Sequence, residues 1–273
     1  MNPPQLVSSK QTIIHAQRST SNKMKSVVII PTYNECENIA RLLADLRNLP
    51  HDLSVIVVDD NSPDGTGAIA AERAAVDAQV QVIHRPAKLG LGTAHVAGFT
   101  QALAAGFDQI LTMDADYSHH PRYIGGLLQL GATHDLVIGS RYVAGGAVVG
   151  SSALRRALSR AANRTARTAL RLRAGDCTAG FRCYSSAVLH AIQPETIRSE
   201  GYSFLIELLW RAQHSGWRIS ELPVTFEDRR FGQSKISARE IFKALATVVR
   251  LYQNQAAAGN YSAPAAHSTQ GSH

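Results

Sequence analysis

Three acidic clusters sit directly behind short apolar runs of this chain, and two of their carboxylates are spaced to share a cation. Asp114-Ala115-Asp116 follows the run Gln109–Met113. In extended backbone, residues i and i+2 project to the same face, so both carboxylates can approach one hard divalent ion. Mg²⁺ or Mn²⁺ suits such a pair, with water and substrate phosphates completing the shell. Asp59-Asp60 follows Val55–Val58, and Pro31-Thr32-Tyr33-Asn34-Glu35 closes the run that starts at Val27. An isolated acidic cluster is more often a helix cap or a solvated turn. Asp64-Gly65-Thr66 is assigned to that role, as a turn and cap into the next helix. Three clusters, behind the first, second and fourth runs, call for another explanation, since they would converge on one edge. Basic groups stand beside them. Gly139-Ser140-Arg141-Tyr142 places a planar guanidinium, matched to phosphate oxygens, after the fifth run; alternatively Arg141 pairs with a nearby Asp. His119-His120-Pro121 is expected to shape its loop.

These clusters need strands and helices to hold them. Val27–Ile30, Val55–Val58, Val80–Ile83, Gln109–Met113 and Leu136–Ile138 are short and apolar, as strands buried on both faces are. Between them, 35–46, 66–75, 92–105 and 122–130 have helical length and spacing. Alternating strand and helix predicts an α/β fold with a parallel sheet and right-handed crossovers. Ligands of such sheets bind beyond the carboxyl ends of the strands. After Gly150 the rhythm changes. An Arg-rich helix is expected over 153–173, then a Gly-rich turn, a helix over 203–214, a strand over 217–226 and a final helix over 236–252.

The chain has 273 residues, 45% of them hydrophobic and 18% charged, which is enough for a packed core and too apolar for general disorder. Lys and Arg number 28 against 21 Asp and Glu, a net charge of +7. That excess suits an anionic partner. Cys36, Cys177 and Cys183 share no zinc spacing and are read as reduced structural thiols. No stretch approaches the roughly 20 apolar residues that cross a bilayer. The Lys88-Leu89-Gly90-Leu91-Gly92-Thr93 loop lacks the dinucleotide fingerprint after the first strand, which argues against a nicotinamide enzyme. Trp210 and Trp217 are expected in the core, and Glu207 faces either the site or solvent.

Together, Pro31–Glu35, Asp59-Asp60, Asp114–Asp116 and Gly139–Tyr142 resemble the inverting GT-A glycosyltransferases of family 2. More narrowly, the chain is similar to the dolichol- or polyprenol-phosphate mannose synthases, from about Val27 to Tyr252. Ser118-His119-His120-Pro121 and the stretch Phe226–Lys235 carry the likeness too. The resemblance implies a GT-A, Rossmann-like, mostly parallel sheet with added C-terminal amphipathic helices. It implies a flexible arm over 1–25, a catalytic domain over 26–254 and a disordered tail over 255–273. It also implies a GDP-mannose donor and a polyprenyl or dolichyl monophosphate acceptor. Pro31, Tyr33, Glu35, Val58 and Asp60 would hold the guanosine, and Asp114, Ala115 and Asp116 would lie at the diphosphate and its Mg²⁺ or Mn²⁺. Part of the family has a Gln metal ligand where this chain has Ser118, so water replaces it or Ser118 does. Arg141, Arg229 and Lys235 would close over the phosphates; Arg141, Arg155, Ser159 and Arg229 would meet the acceptor phosphate. Members without transmembrane helices, as this chain is read, work at the cytoplasmic face of a membrane, with a separate membrane-anchoring protein as a possible partner.

The Arg-rich helix carries two stripes at about 100° per residue. Leu154, Leu158, Ala161, Thr165, Ala169 and Leu172 form one, and Arg156, Arg160, Arg164, Arg167 and Arg171 the other. Either the apolar stripe packs on the core, or the helix docks on an anionic leaflet, where each Arg adds about 1 kcal/mol. Two rival functions remain. One is transfer of glucose or N-acetylglucosamine to the same lipid. The other is nucleic-acid binding, which leaves the acidic strand ends unexplained; no nucleic-acid partner is expected.

Overall fold

The computed structural model describes residues 24–199, 201–227 and 246–253. The expected arm before Lys23, the tail over 255–273 and most of the helix expected over 236–252 lie outside the described residues; 246–253 is helical.

Among the described residues there are nine strands, of which the first five follow the apolar runs closely. The first half contains β1 (Ser26–Thr32), α1 (Cys36–Arg47), β2 (Leu53–Asp59), α2 (Thr66–Val76), β3 (Val80–His84), α3 (Leu91–Ala104) and β4 (Gln109–Thr112). The second contains α4 (Ile124–Gly131), β5 (Leu136–Ser140), β6 (Ala147–Val149), α5 (Ala153–Ala169), β7 (Arg182–Ser185), α6 (Ser186–Ile192), α7 (Tyr202–His214), β8 (Ile219–Pro223) and β9 (Thr225–Glu227). The main sheet runs β3-β2-β1-β4-β7-β5-β8, and β6 pairs with β9 separately. Strand pairs β1–β2, β2–β3, β1–β4 and β5–β8 are parallel. The fold is therefore the expected α/β type. Strand order reverses between β1 and β4, which opens a ligand crevice at their carboxyl ends.

Alternation along β1 divides the core in two. Val27 and Ile29 join a cluster with Phe99, Tyr184, Phe204 and Leu209. Val28 and Ile30 face the other way, against Leu42, Leu43, Leu46 and Leu127. Helix α3 lies so close to β1 that a Cβ on Gly98 would come within 2.4 Å of Ile29 Cγ2. Both faces of the sheet are thus covered, as the unbroken apolar runs require.

Four expectations need correction. The Gly-rich turn contains a strand, β7, antiparallel to both β4 and β5, within the mostly parallel sheet that was expected. The strand expected over 217–226 divides at Val224 into β8 and β9, which belong to different sheets. Helix α5 stops at Ala169 rather than Arg173, because Arg171 takes the left-handed conformation at φ 51°. Glu207 faces neither site nor solvent. It is buried, accepts from Arg211 at 2.8 Å and pairs with Arg250 and Ser199, tying helix 246–253 to α7.

The apolar stripe of α5 is also reversed over its first three turns. Leu154 and Leu158 are 71% and 57% exposed, whereas Asn163, Ala166 and Leu170 pack inward. Asn163 turns inward because it has partners: its amide donates to Gly175 O at 2.6 Å and its oxygen accepts from Cys177 N at 2.9 Å.

Acid stability gives a test of the core. His95 in α3 is 2% exposed and stacks on Phe204 at 5.9 Å. Burial pushes its pKa from 6.5 down to about 4, although the contact with Leu91 O at 3.0 Å pulls the other way. A depressed folded value means the contribution is whole above pH 6.5 and is lost as pH falls toward 4. Chemical denaturation between pH 7 and 4 should show a decline on the order of 3 kcal/mol in this window. In His95→Gln most of that slope should disappear; an unchanged slope would assign it elsewhere.

Candidate active site

Three neighbouring strands deliver the acidic clusters to one rim. Behind β1, Tyr33 carries the Lys88 ammonium over its ring at 3.7 Å. Glu35 caps α1: its carbonyl accepts from Ile39 N at 2.9 Å and its carboxylate from Asn38 Nδ2 at 2.9 Å. Behind β2, Asp59 accepts from Thr32 Oγ1 at 3.1 Å and from Ser62 N at 3.1 Å. Ser62 Oγ in turn accepts from Asn34 N at 3.1 Å, which laces the two strand ends together. Asp60 accepts from Arg85 and from Gly90 N at 3.0 Å, so it fixes the Lys88 loop beside Tyr33. Pro31 and Val58 are opposite one another in the β1–β2 register. The Val58 side chain is wholly enclosed, so anything it offers a ligand comes from backbone.

Asp64 makes the turn expected of it, while Gly65 takes the N-cap position of α2 without a side-chain cap. The Asp64 carboxylate accepts from Thr66 N at 3.0 Å, Thr66 Oγ1 at 2.6 Å and Cys36 N at 3.1 Å. Partial burial raises its pKa, but these hydrogen bonds outweigh that and leave it at about 2.

The cation edge follows β4. Asp114 is part-exposed at 30%, Ala115 is buried, and Asp116 is 4% exposed. Tyr117 has φ 60°, which swings the chain back so that Ser118 meets Asp116. Oδ1 of Asp116 accepts from Ser118 N at 3.0 Å and from Ser118 Oγ at 2.6 Å. His119 shapes the loop from inside: its Nδ1 accepts from Asp114 N at 2.9 Å while its ring stacks on Phe181 at 5.1 Å. Opposite Asp114, a Cβ on Gly180 would stand 3.7 Å from Oδ1. Two hard carboxylates two residues apart, one oriented by Ser118 and one part-exposed beside Gly180, fit a divalent cation of the Mg²⁺ or Mn²⁺ type. Among the described residues there is no cluster of three or more His, Cys, Asp or Glu, so solvent and phosphate oxygens would supply the remaining ligands.

Arg141 stands across the same rim, locked in place. Its Nε and Nη2 reach Asp176 Oδ2 and Oδ1 at 2.7 and 2.8 Å, and Nη2 also donates to Thr178 Oγ1 at 2.7 Å. Asp176 is fully buried; burial pushes its carboxyl up, yet the Arg141 guanidinium outweighs this and holds it below the usual range. The pairing foreseen as an alternative for Arg141 is real, and its partner is Asp176. Phe226 connects the two sides, with its ring 5.8 Å from His119 and 5.4 Å from the Arg141 guanidinium carbon. Ser159 of α5 meets Tyr142 Oη at 2.9 Å, so α5 adjoins the rim beside Arg141. Arg155 lies four residues earlier on that helix. Arg229 and Lys235 lie outside the described residues.

Asp176 and Gly180 escaped the sequence reading, as did Arg182. The only available signal was the acid within Gly175-Asp176-Cys177-Thr178-Ala179-Gly180. Cys177 and Cys183 in this region are inert, their thiols pushed to about 12 by burial.

A doubly wound sheet with carboxylates and a held arginine on one rim suits an enzyme that handles phosphate-bearing ligands. The chain belongs to glycosyl transferase family 2, whose model matches residues 27–192. It is 44% identical to the undecaprenyl-phosphate mannosyltransferase of Micrococcus luteus over 227 residues, covering 83% of this chain and 93% of that one. It is equally 44% identical to the polyprenol monophosphomannose synthase of Mycolicibacterium smegmatis, over 81% of this chain and 84% of that one. Its fold matches glucosyl-3-phosphoglycerate synthase from Mycobacterium tuberculosis, solved with Mn²⁺, UDP and phosphoglyceric acid. That match has a TM-score of 0.64 and 18% identity, with 84% and 79% of the two chains covered.

The Arg141–Asp176 pair yields a stability test. Asp176→Ala leaves a part-buried guanidinium uncompensated and should cost about 3 kcal/mol in urea unfolding. Replacing both partners, as Arg141→Met with Asp176→Leu, should restore much of that loss. Equal losses in the single and double variants would show the two side chains to be independent.

Proposed function

We propose that this glycosyltransferase transfers mannose from GDP-mannose to a polyprenyl monophosphate, giving polyprenyl β-mannosyl phosphate and GDP. One observation carries the reading: Asp114, two residues from Asp116, is joined through His119 and Phe226 to Arg141, so carboxylates and a guanidinium share a rim. The mannosyltransferase relatives, matched over most of both chains, support the sugar and the lipid.

In this assignment Pro31, Tyr33, Glu35, the Val58 backbone and Asp60 receive the guanosine. Asp114, Ala115 and Asp116 lie along the diphosphate, and Ser118 orients Asp116 or lends an oxygen to the ion. A divalent cation bound at this edge would neutralise the charge that collects on the departing diphosphate. Arg141, kept rigid by Asp176, needs no reorganisation to face phosphate charge. Arg155 and Ser159 grip the acceptor phosphate, and Arg229 and Lys235 close over both substrates.

The acceptor monophosphate is an anion at neutral pH, so no side chain has to remove a proton. Its oxygen attacks the anomeric carbon in line as the bond from that carbon to the GDP oxygen breaks. One displacement inverts the α donor to a β product.

Among the described residues no helix is long and apolar enough to cross a membrane. Val149, Leu154 and Leu158 are each more than half exposed, close to Ser159, with Arg160 and Arg164 alongside. This apolar face flanked by cations docks on the anionic cytoplasmic leaflet, with a membrane-anchoring protein as a further partner.

Pure protein with GDP-mannose, Mg²⁺ or Mn²⁺ and a short polyprenyl phosphate should release GDP and mannosyl-lipid; faster turnover with another sugar donor would reassign the sugar. Asp116→Asn should lower turnover by about a hundredfold or more with the fold intact; near-wild-type rates would remove the metal assignment. Leu154→Glu with Leu158→Glu should abolish sedimentation with anionic vesicles. Retained binding would place the membrane face elsewhere.

A further inference from the structure

The arginines of α5 do not all look outward onto one flat face. At about 100° per residue, Ser159, Asn163, Ala166 and Leu170 form the stripe that packs inward. Arg155 lies on one flank of that stripe and Arg160, Arg164 and Arg167 lie on the other. On this second flank a groove of about 790 Å³ opens between α5 and the segment after β5, and Arg160, Arg164, Arg167 and Arg171 line it opposite Arg141 and Tyr142. Arg141 already answers Asp176. Among the described residues, no carboxylate pairs with any of the other four.

Two features of this row oppose folding. Arg160 and Arg164, and again Arg164 and Arg167, are like charges one turn apart, a spacing that repels in a helix. Arg171 also holds φ 51°, just past the Leu170 C-cap, where glycine is the residue that adopts this conformation freely. An arginine kept at such a position, with its side chain lining a concave surface, points to a ligand that needs it. The nine steps from Arg160 to the helix end at Ala169, at about 1.5 Å each, span roughly 14 Å, room for more than one phosphate group.

We propose that this groove is a second anion site, separate from the Asp114–Asp116 edge and from the Arg155–Ser159 flank, and that it binds a ligand with two or more neighbouring phosphate groups. It needs no divalent cation, because the arginines supply the positive charge directly. The ligand is either a soluble diphosphate or a lipid headgroup with two phosphates.

Calorimetry in EDTA with inorganic pyrophosphate tests the site without metal at the strand edge. Wild type and Asp116→Asn should both bind saturably, more tightly than they bind orthophosphate. Arg164→Ala with Arg167→Ala should weaken binding at least about tenfold. Arg171→Gly separates ligand binding from a structural role: it should raise the melting temperature by removing strain while weakening pyrophosphate. Vesicles of neutral lipid with cardiolipin, compared with phosphatidylglycerol at equal total charge, identify the source. A cardiolipin preference lost in the double variant assigns a lipid headgroup, and saturable pyrophosphate binding without that preference assigns a soluble ligand. The proposal fails if neither pyrophosphate binding nor a cardiolipin preference is found. It fails equally if pyrophosphate binding survives the arginine substitutions and is lost in Asp116→Asn.

Discussion

The whole rim depends on one buried cation. Arg182 in β7 is completely enclosed, and among the described residues no carboxylate pairs with it. Its donors go instead to Ala179 O at 2.8 Å, Cys177 O at 3.0 Å and Leu205 O at 2.8 Å, with Tyr184 Oη at 3.3 Å. An ion out of water costs several kcal/mol unless its protons are satisfied, so these carbonyls cannot drift. They belong to the loop between α5 and β7 and to the side of α7. That loop supplies Asp176 to Arg141 at one end and sets Gly180 beside Asp114 at the other. An antiparallel strand inserted in a parallel sheet thereby sets the distance between the two halves of the site.

Backbone conformation makes the opposite wall equally fixed. Asn34, Asn61 and Tyr117 are all left-handed, at φ 60°, 56° and 60°. Each follows the carboxyl end of one of three adjacent strands, β1, β2 and β4. Asn tolerates this region, whereas a tyrosine there is strained. Tyr117 is restrained by its hydroxyl bond to Asp45 Oδ2 at 2.7 Å and by Arg41 over its ring at 5.4 Å. The turn it makes brings Ser118 onto Asp116. Strain stored between two proposed cation-site residues, and held by α1 rather than by ligand, is what a preformed site requires.

Local signals were legible in the sequence where burial and function agree. Val27–Ile30 and Val55–Val58 read as strands because both faces are covered, and the acids behind them read as a site because strand ends face the crevice. Strand β7 was not legible: four residues, one a charged arginine, carry no apolar alternation, and a buried Arg satisfied by distant carbonyls leaves no local trace. Asp176 was missed for the same reason, since its partner lies 35 residues away. The apolar stripe of α5 misled in the other direction. Periodicity reports which side chains are alike and assumes that the apolar face is the packed one. Here Asn163, with its amide and carbonyl partners, makes the polar side the inner one.

That inversion links the fold to the chemistry. An enzyme joining two phosphate-bearing substrates has to keep their like charges close together. On the proposed assignment, the donor diphosphate rests on carboxylates bridged by a cation, and the acceptor phosphate meets side-chain cations directly. On that assignment the donor side is lined by carboxylates, while α5 brings arginines to the acceptor side. Packing α5 by its polar stripe leaves leucines and arginines outside together. A lipid phosphate brings those two chemistries in one molecule, an anionic head on an apolar chain, and the exposed flank of α5 matches both within two turns of Ser159.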